Sequence, residues 1–426
     1  MSQATRITRR VVGLLSARDA DLQLDAVADN RASHLVKWPL DVVLRIAIVC
    51  LSSGCLSLLQ AEERTVEMTP DIRHKLKIVR RISDTTLRTI LTGQDPDQIR
   101  NVIHRQIRAA ARRKALLPDD LPFNVAMLDG KSTALPSCDD FYAQRQTQDG
   151  KLNGMLRTMT VSLVTTPAQP CIDAIPIPAP TNEMGWFCSC VDQLLAAYGS
   201  IDLFRMVAAD AGNCCESNAR HVRDIGLHYL FGLKGNQPSL EAEAVRVLGH
   251  LQTPIARSCD KFGATRRVER RLYLTEQMAG FDWDHLSTVV RVESRTFMHG
   301  KLTEWQDRYF VCSLPMSRLS SKQWLRLIRL LWGVENAVHC TADKMMREDD
   351  HPWIEADPKG ALIVALLRRI AYNLLTLFRS VTLRADRSRS TPWKTLMRWV
   401  EVALLTAGPN DVARLRPRTA AAACPS

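Results

Sequence analysis

Three acidic residues stand where their types and spacing could do chemistry. Asp129 closes Phe123-Asn124-Val125-Ala126-Met127-Leu128, a run that reads as a strand, and Asp210 closes a second apolar strand, 203–209. Glu335 falls mid-helix in Trp332-Gly333-Val334-Glu335-Asn336. In open α/β sheets ligands gather at the carboxyl ends of strands. A Glu next to Val334 and close to an apolar stripe is expected to be partly buried, which is costly unless a cation satisfies it. Three carboxylates can hold two Mg²⁺ (or Mn²⁺) ions about 3.5–4 Å apart, the arrangement for in-line phosphoryl displacement. Strand-end aspartates also commonly cap the following helix, and the three acids alone leave both readings open. Glu348 and Asp349, after Arg347, are rivals to Glu335, but their place near a probable helix end favours a salt-bridged structural role.

The elements that must position these acids follow from periodicity. Residues 1 to about 118 read as wholly helical. Ser83 is an N-cap before Leu87, Ile90 and Leu91, Gly93 ends that helix, and Asp95-Pro96 starts the next. There Ile99, Val102, Ile103 and Ile107 form one stripe while Arg105, Arg108 and Arg112 share another face. After Pro118 the texture becomes alternating: strands at 123–129, 155–165, 203–209 and 229–233, and helices at 183–198 and 218–225. This argues for an α/β sheet. The stretch 264–315 holds strands without comparable helices (266–274, 288–296, 305–313) and reads as an antiparallel insertion. From Ser320 the chain returns to helix, with Leu327, Leu331, Val334 and Val338 in an i, i+4, i+7, i+11 stripe and a second apolar helix over 360–380. The tail from 408 is expected to be disordered.

Composition sets looser bounds. The chain has 426 residues, 46% hydrophobic and 24% charged, values of an ordinary globular protein long enough for two or three domains. Its 57 Lys+Arg against 45 Asp+Glu leave +12. Between Arg73 and Lys114 twelve Lys/Arg face three Asp, so this segment alone carries +9. Such a segment is either a solvated basic face or a phosphate-contacting one. The twelve cysteines, with Cys188 and Cys190 in a C-x-C and Cys214 and Cys215 adjacent, show neither a disulfide framework nor zinc spacing. Free, mostly buried thiols in a cytoplasmic setting are expected. No signal sequence is read in the basic N-terminus, and the apolar run 46–59 is shorter than a bilayer span, so no membrane partner is expected.

Several multi-residue boxes then carry a resemblance. Leu128-Asp129-Gly130-Lys131 resembles the first-aspartate motif of DDE transposases of bacterial insertion sequences, H-repeat-associated group. Thr181-Asn182-Glu183-Met184 resembles that family's Asn-Glu box, and Ala209-Asp210-Ala211-Gly212 its second-aspartate motif. Leu233-Lys234-Gly235-Asn236-Gln237-Pro238 matches the turn that follows. Trp332 to His339, with Asp343 and Arg347-Glu348-Asp349 downstream, resembles the block holding the catalytic glutamate. The order agrees over roughly residues 35 to 380. Departures are Leu331 where relatives usually carry His, Cys340 where they usually carry Trp, and Ser132-Thr133-Ala134 after Lys131.

The resemblance implies an RNase H-like mixed α/β sheet flanked by helices, with a β insertion before the glutamate helix and an all-helical N-terminal domain. The expected domains are 1–118 (helical, DNA-binding), 119–263 (first part of the core), 264–318 (insertion), 319–385 (glutamate helix and completion of the core) and 386–426 (basic C-terminal helix and disordered tail). It further implies metal-dependent cleavage at element ends and strand transfer into target DNA. Asp129, Asp210 and Glu335 would be catalytic residues and ligands of two ions. The expected partner is double-stranded DNA, both terminal inverted repeats and target, with a homodimer in the synaptic complex. A bacterial cytoplasmic, nucleoid-associated location follows. A catalytically inactive DNA-binding relic, or a metal-dependent nuclease without strand transfer, is the alternative. Supporting roles, in DNA contact or behind the acids, fall to Lys131, Lys234, Asn236, His339 and Asp343. Each is weighed against an ordinary surface or structural side chain. His339, four residues after Glu335, is expected on the same helical face, with Asp343 continuing it. Trp332 is expected in helix packing or beside Glu335, and Trp324 and Trp353 in the core.

Overall fold

The computed structural model describes residues 3–412 except 33, 35, 137–139, 149, 279–280, 284 and 384–390. The tail is expected to be disordered from 408, but residues Pro409–Val412 form a short helix, and those beyond 412 lie outside the described residues. The chain divides into two compact units: 1–115 with 133–156 and 339–426, and 116–132 with 157–338.

The first unit opens with six helices: α1 (Gln3–Leu22), α2 (Leu40–Ser52), α3 (Leu58–Glu67), α4 (Pro70–Lys75), α5 (Asp84–Thr92) and α6 (Pro96–Arg112). Local signals set their ends. Ser83 caps α5 by accepting from the Thr86 amide, and Asp95 caps α6 with Pro96 at its first turn. The expected stripe Ile99, Val102, Ile103, Ile107 is fully buried. The expected basic face of α6 is partly spent internally: Arg105 Nε donates to the Leu22 carbonyl at 3.0 Å.

The chain then passes through β1 (Val125–Leu135), β2 (Ala143–Gln148), β3 (Lys151–Leu163) and β4 (Cys171–Pro176), followed by α7 (Glu183–Tyr198), β5 (Met206–Ala209), α8 (Glu216–Asp224), β6 (His228–Leu233) and α9 (Pro238–Gly249). An antiparallel meander follows: β7 (Ala256–Phe262), β8 (Arg266–Thr275), β9 (Thr288–Met298) and β10 (Lys301–Cys312). One ten-stranded mixed sheet results, in the order β2-β3-β1-β5-β6-β10-β9-β8-β7 with β4 on β3. Parallel β1, β5 and β6 are the strands whose ends carry chemistry in such sheets. The β4-β3-β1-β5-β6 order is consistent with the expected RNase H-like core, and β10 joins the meander to it antiparallel to β6. The insertion starts with β7, upstream of the expected 264. β7 alternates exposed and half-buried residues and lacks an apolar face to announce it.

Helix α10 (Ser321–Leu330) opens on a full capping box, Ser320 with Gln323. It leads into a π-helical turn, Val334–His339. Leu327, Leu331 and Val334 of the expected stripe join a core with Trp324, Met127, Met206 and Val290. Each large side chain so buried stabilises by about 1.5–3 kcal/mol.

The remaining helices, α11 (Cys340–Lys344), α12 (Pro358–Leu377), α13 (Trp393–Thr406) and α14 (Pro409–Val412), group with α1–α6. Residues 339–385, expected to complete the core, thus pack in the helical unit, because α12 is apolar nearly all round and packs on α2, α5 and α6. With its π-helical extension, α12 spans Pro358–Thr382. It is long and apolar enough to cross a membrane, and its apolar window is wholly buried within the protein. Glu348 pairs bidentately with Arg369, at 2.6 and 3.0 Å, both side chains at most 3% exposed. This is the salt-bridged structural role expected of Glu348. The described cysteines are free thiols, most of them buried.

Arg369→Met strands a buried carboxylate and should cost about 3–5 kcal/mol in urea denaturation. Adding Glu348→Gln should recover most of that loss; no recovery would mean the pair is not the cause.

Candidate active site

Asp129, Asp210 and Glu335 line one cavity of about 640 Å³ in the sheet-bearing unit. Asp210 follows the last residue of β5 and caps a short 3₁₀ turn, accepting from the Asn213 amide (3.3 Å) and Nδ2 (2.9 Å). Both readings of a strand-end aspartate therefore hold together: Asp210 caps a turn and still faces the cavity. Asp129 differs from expectation. β1 does not end there but runs on to Leu135, since Ser132-Thr133-Ala134 carries no breaker. Asp129 lies within the strand and half-buried.

Glu335 also departs from expectation, being exposed rather than partly buried. Val334 and Val338, both fully buried, anchor the turn on either side while the carboxylate extends into the cavity. His339 is buried, and neither it nor Asp343 lines the cavity. Lys131 is buried and likewise does not line it.

Lys234 is exposed at the end of β6 and does line the cavity. Asn236, in the same turn, donates from Nδ2 to the carbonyls of Ala211 (2.6 Å) and Cys214 (3.1 Å), and Gln237 adds a bond to Cys214 (3.1 Å). These amides clamp the loop after Asp210. Trp332 and Leu331 complete the wall, with Arg308 4.4 Å above the Trp332 ring.

Glu241 and Asp307 also line the cavity, and a further carboxylate within electrostatic reach of Asp129, Glu183, was named in the sequence only within the Asn-Glu box. Asn182 caps α7 by accepting from the Gly185 amide (2.9 Å), which puts Glu183 in its first turn. Arg157 Nη2 grips the preceding turn through the carbonyls of Ala179 (3.0 Å) and Thr181 (2.7 Å). The Glu183 carboxylate lies so close over Gly130 that a Cβ there would stand 1.9 Å from Oε1. A carboxylate opening a helix two residues after a turn threonine was the available signal.

The charges register one another. Burial first, then the negative charges of Asp210, Glu183 and Glu335, push Asp129 up to about 7. Burial and Asp210 also raise Glu183, against Arg157. Among the described residues no group of three His, Cys, Asp or Glu side chains stands close enough to hold a metal ion as it is. The donor set is nevertheless that of a hard cation, carboxylate oxygens around a common space.

Comparison with known proteins bears out the resemblance read from the motifs. No family model matches the chain. It is similar to transposase-related proteins of Escherichia coli. One is the K12 protein named "Putative protein YbfL", 29% identical over 40% of this chain and 47% of that protein. Another is "H repeat-associated putative transposase YhhI", also of K12, 28% identical over 40% and 47%. A third is "Putative transposase YncI" of strain O157:H7, 26% identical over 40% and 45%. The chain spans about half the length of these curated relatives. Among solved structures, a piggyBac transposase synaptic complex with hairpin DNA aligns at TM-score 0.42 and 10% identity, over 98% of this chain and 84% of that one, too distant a likeness to carry weight.

Because folding raises the Asp129 pKa above its unfolded value, its protonated form favours the fold. That contribution is whole below about pH 4 and fades as pH rises through about 7. Asp129→Asn should therefore be relatively stabilised at pH 8 and flatten the fall in melting temperature between pH 5 and 8, measured in chelator; an unchanged slope would locate the titration elsewhere. Gly130→Ala should displace Glu183 and lower the melting temperature, an effect that Gly130→Ala/Glu183→Ala should largely relieve.

Proposed function

We propose that this protein is a transposase of the DDE type, a metal-dependent polynucleotidyl transferase that cleaves the ends of its own element and joins them to target DNA. The observation that carries the reading is the convergence of Asp129, Asp210 and Glu335, acids far apart in the chain, on one cavity where their charges raise Asp129. The H repeat-associated transposase name of one relative points the same way.

Asp129, Asp210 and Glu335 would hold two Mg²⁺ or Mn²⁺ ions, which activate the attacking oxygen and stabilise the leaving one. Glu183, facing Asp129 over Gly130, adds negative charge that holds cations in the same space. Glu335, exposed on its turn, supplies the carboxylate free to close on them. Lys234 at the cavity wall meets a non-bridging phosphate oxygen as a point charge, while Asn236 keeps the Asp210 loop in place. The protein offers positioned charge and no nucleophile, so strand transfer needs only a DNA 3′-OH. Lys131, His339 and Asp343, away from the cavity wall, act behind the acids or on DNA outside it. The helical unit, basic between 73 and 114, is assigned to duplex binding, and joining two ends in concert calls for a dimer. A cytoplasmic, nucleoid-associated location accords with that partner.

The test uses full-length protein and DNA bearing the inverted repeats that flank its gene. Nicking should require Mg²⁺ or Mn²⁺, and Asp210→Asn should lower it on the order of 10³-fold, about 4 kcal/mol, with repeat binding kept within about twofold. Equal loss of cleavage and binding would defeat the assignment. Pre-cleaved ends offered to target DNA should yield joined product. Cutting without joining would make the protein a nuclease, and repeat binding with no nicking a relic.

A further inference from the structure

A second groove, of about 450 Å³, runs over the inner face of the β7–β10 meander and meets the acidic cavity at its edge. The two share Gln306, Arg308, Trp332 and Glu335. Its floor comes from alternate residues of neighbouring strands: Arg270 of β8 stands opposite Ser294 of β9, which stands opposite Gln306 of β10. The period of two along each strand puts their side chains on one face.

Four arginines line this groove, Arg266, Arg270, Arg308 and Arg329, with three carboxylates, Asp260, Glu304 and Glu335. Arg270, Arg308 and Arg329 stand nearest the shared edge with the acidic cavity. Arg270 Nη1 and Arg329 Nη2 both donate to the same oxygen of Asp260, at 2.5 and 2.8 Å. Arg308 lies 4.4 Å over the Trp332 ring and donates from Nε to the Gln306 amide oxygen at 3.1 Å, a neutral partner. Burial, together with the neighbouring Arg329 and Arg308, lowers the Arg270 pKa against the pull of Asp260. The lining carries one more positive charge than negative, and Arg308 has no carboxylate partner of its own, which leaves it able to meet an anion. Guanidinium forks match phosphate oxygens bidentately.

We infer that Arg270, Arg308 and Arg329 form a phosphate subsite for the phosphodiester backbone of a DNA strand that continues from the acidic cavity across the insertion sheet. The inference rests on the proposed function and adds a place for DNA that the three acids do not define. Arg308, shared between cavity and groove, is the first residue a strand meets on leaving Glu335. An acidic peptide would satisfy the same charges. The continuity with the acidic cavity favours a backbone whose next phosphate must lie beside the cleaved one.

The experiment is anisotropy of full-length protein with a labelled duplex, titrated over a range of KCl in EDTA so that bound metal plays no part. For every phosphate that the protein no longer neutralises, the slope of log K against log salt should fall by about 0.9. Arg308→Gln, which breaks no ion pair with a carboxylate, should lower the slope by about 0.9 and weaken binding about 5–10-fold at moderate salt. Arg329→Gln should do the same, and Arg308→Lys should keep the slope, separating charge from folding. Wild-type binding with slopes unchanged in both glutamine variants would overturn the subsite and leave the proposed function standing. A wild-type protein that binds no duplex at any salt would overturn both. Equal displacement of the duplex by polyglutamate of matched charge would overturn the choice of DNA backbone.

Discussion

The repulsion among carboxylates gathered at one end of parallel strands is the constraint around which the sheet-bearing unit is arranged. Asp129, Asp210, Glu183 and Glu335 would each be better solvated apart, yet β1, β5, α7 and the turn after α10 bring them to a shared space. Apolar packing on the far side offsets that cost: Met127, Met206, Leu331 and Val334 belong to one core. Small polar devices then fix each acid. Asn213 holds Asp210, Asn236 and Gln237 hold its loop, and Arg157 holds the turn before Glu183. Such repulsion persists only where the surrounding scaffold holds the groups in place.

How much of this was legible in the chain varied with the kind of signal. Strands buried on both faces, such as β5 and β6, announce themselves by unbroken apolar runs, and capped helices such as α5 and α7 by their first residues. The second acid was therefore placed correctly at a strand end. The first was not, because nothing in Gly130-Lys131 tells a strand that stops from one that continues. Edge and hairpin strands escaped notice. β2, Ala143-Gln144-Arg145-Gln146-Thr147-Gln148, has no apolar period, and β7 alternates only between exposed and half-buried residues. Glu183 was visible as a motif letter but not as a neighbour of Asp129, since only the fold sets α7 across from Gly130. The basic run after Arg73 misled in part: charge counts ignore partners, and Arg105 and Arg113 already have theirs in Leu22 and Asp21.

The insertion meander is more than a spacer in the sheet. Its inner face carries the arginines and hydroxyls of a polar groove, while its outer face buries Glu293 among Arg271, Arg291 and Arg295. That network locks β8 to β9 and stiffens a sheet that has little apolar surface at its outer end. In the helical unit, buried polar pairing does similar work between α6 and α12, where Asn373 Nδ2 meets Gln106 Oε1 at 3.0 Å. Each unit thus combines an apolar core with a few satisfied polar contacts that fix the register of its elements.

The π-helical turn at Glu335 has a consequence for how this chain tolerates change. Such a turn holds one more residue than the α-helix around it. Loss of one codon of this turn other than that of Glu335 would let the segment relax into regular helix while the flanking residues keep their register. The carboxylate would swing off the cavity wall although its own codon stayed intact. One in-frame deletion of three bases would therefore silence the site as thoroughly as replacing the acid.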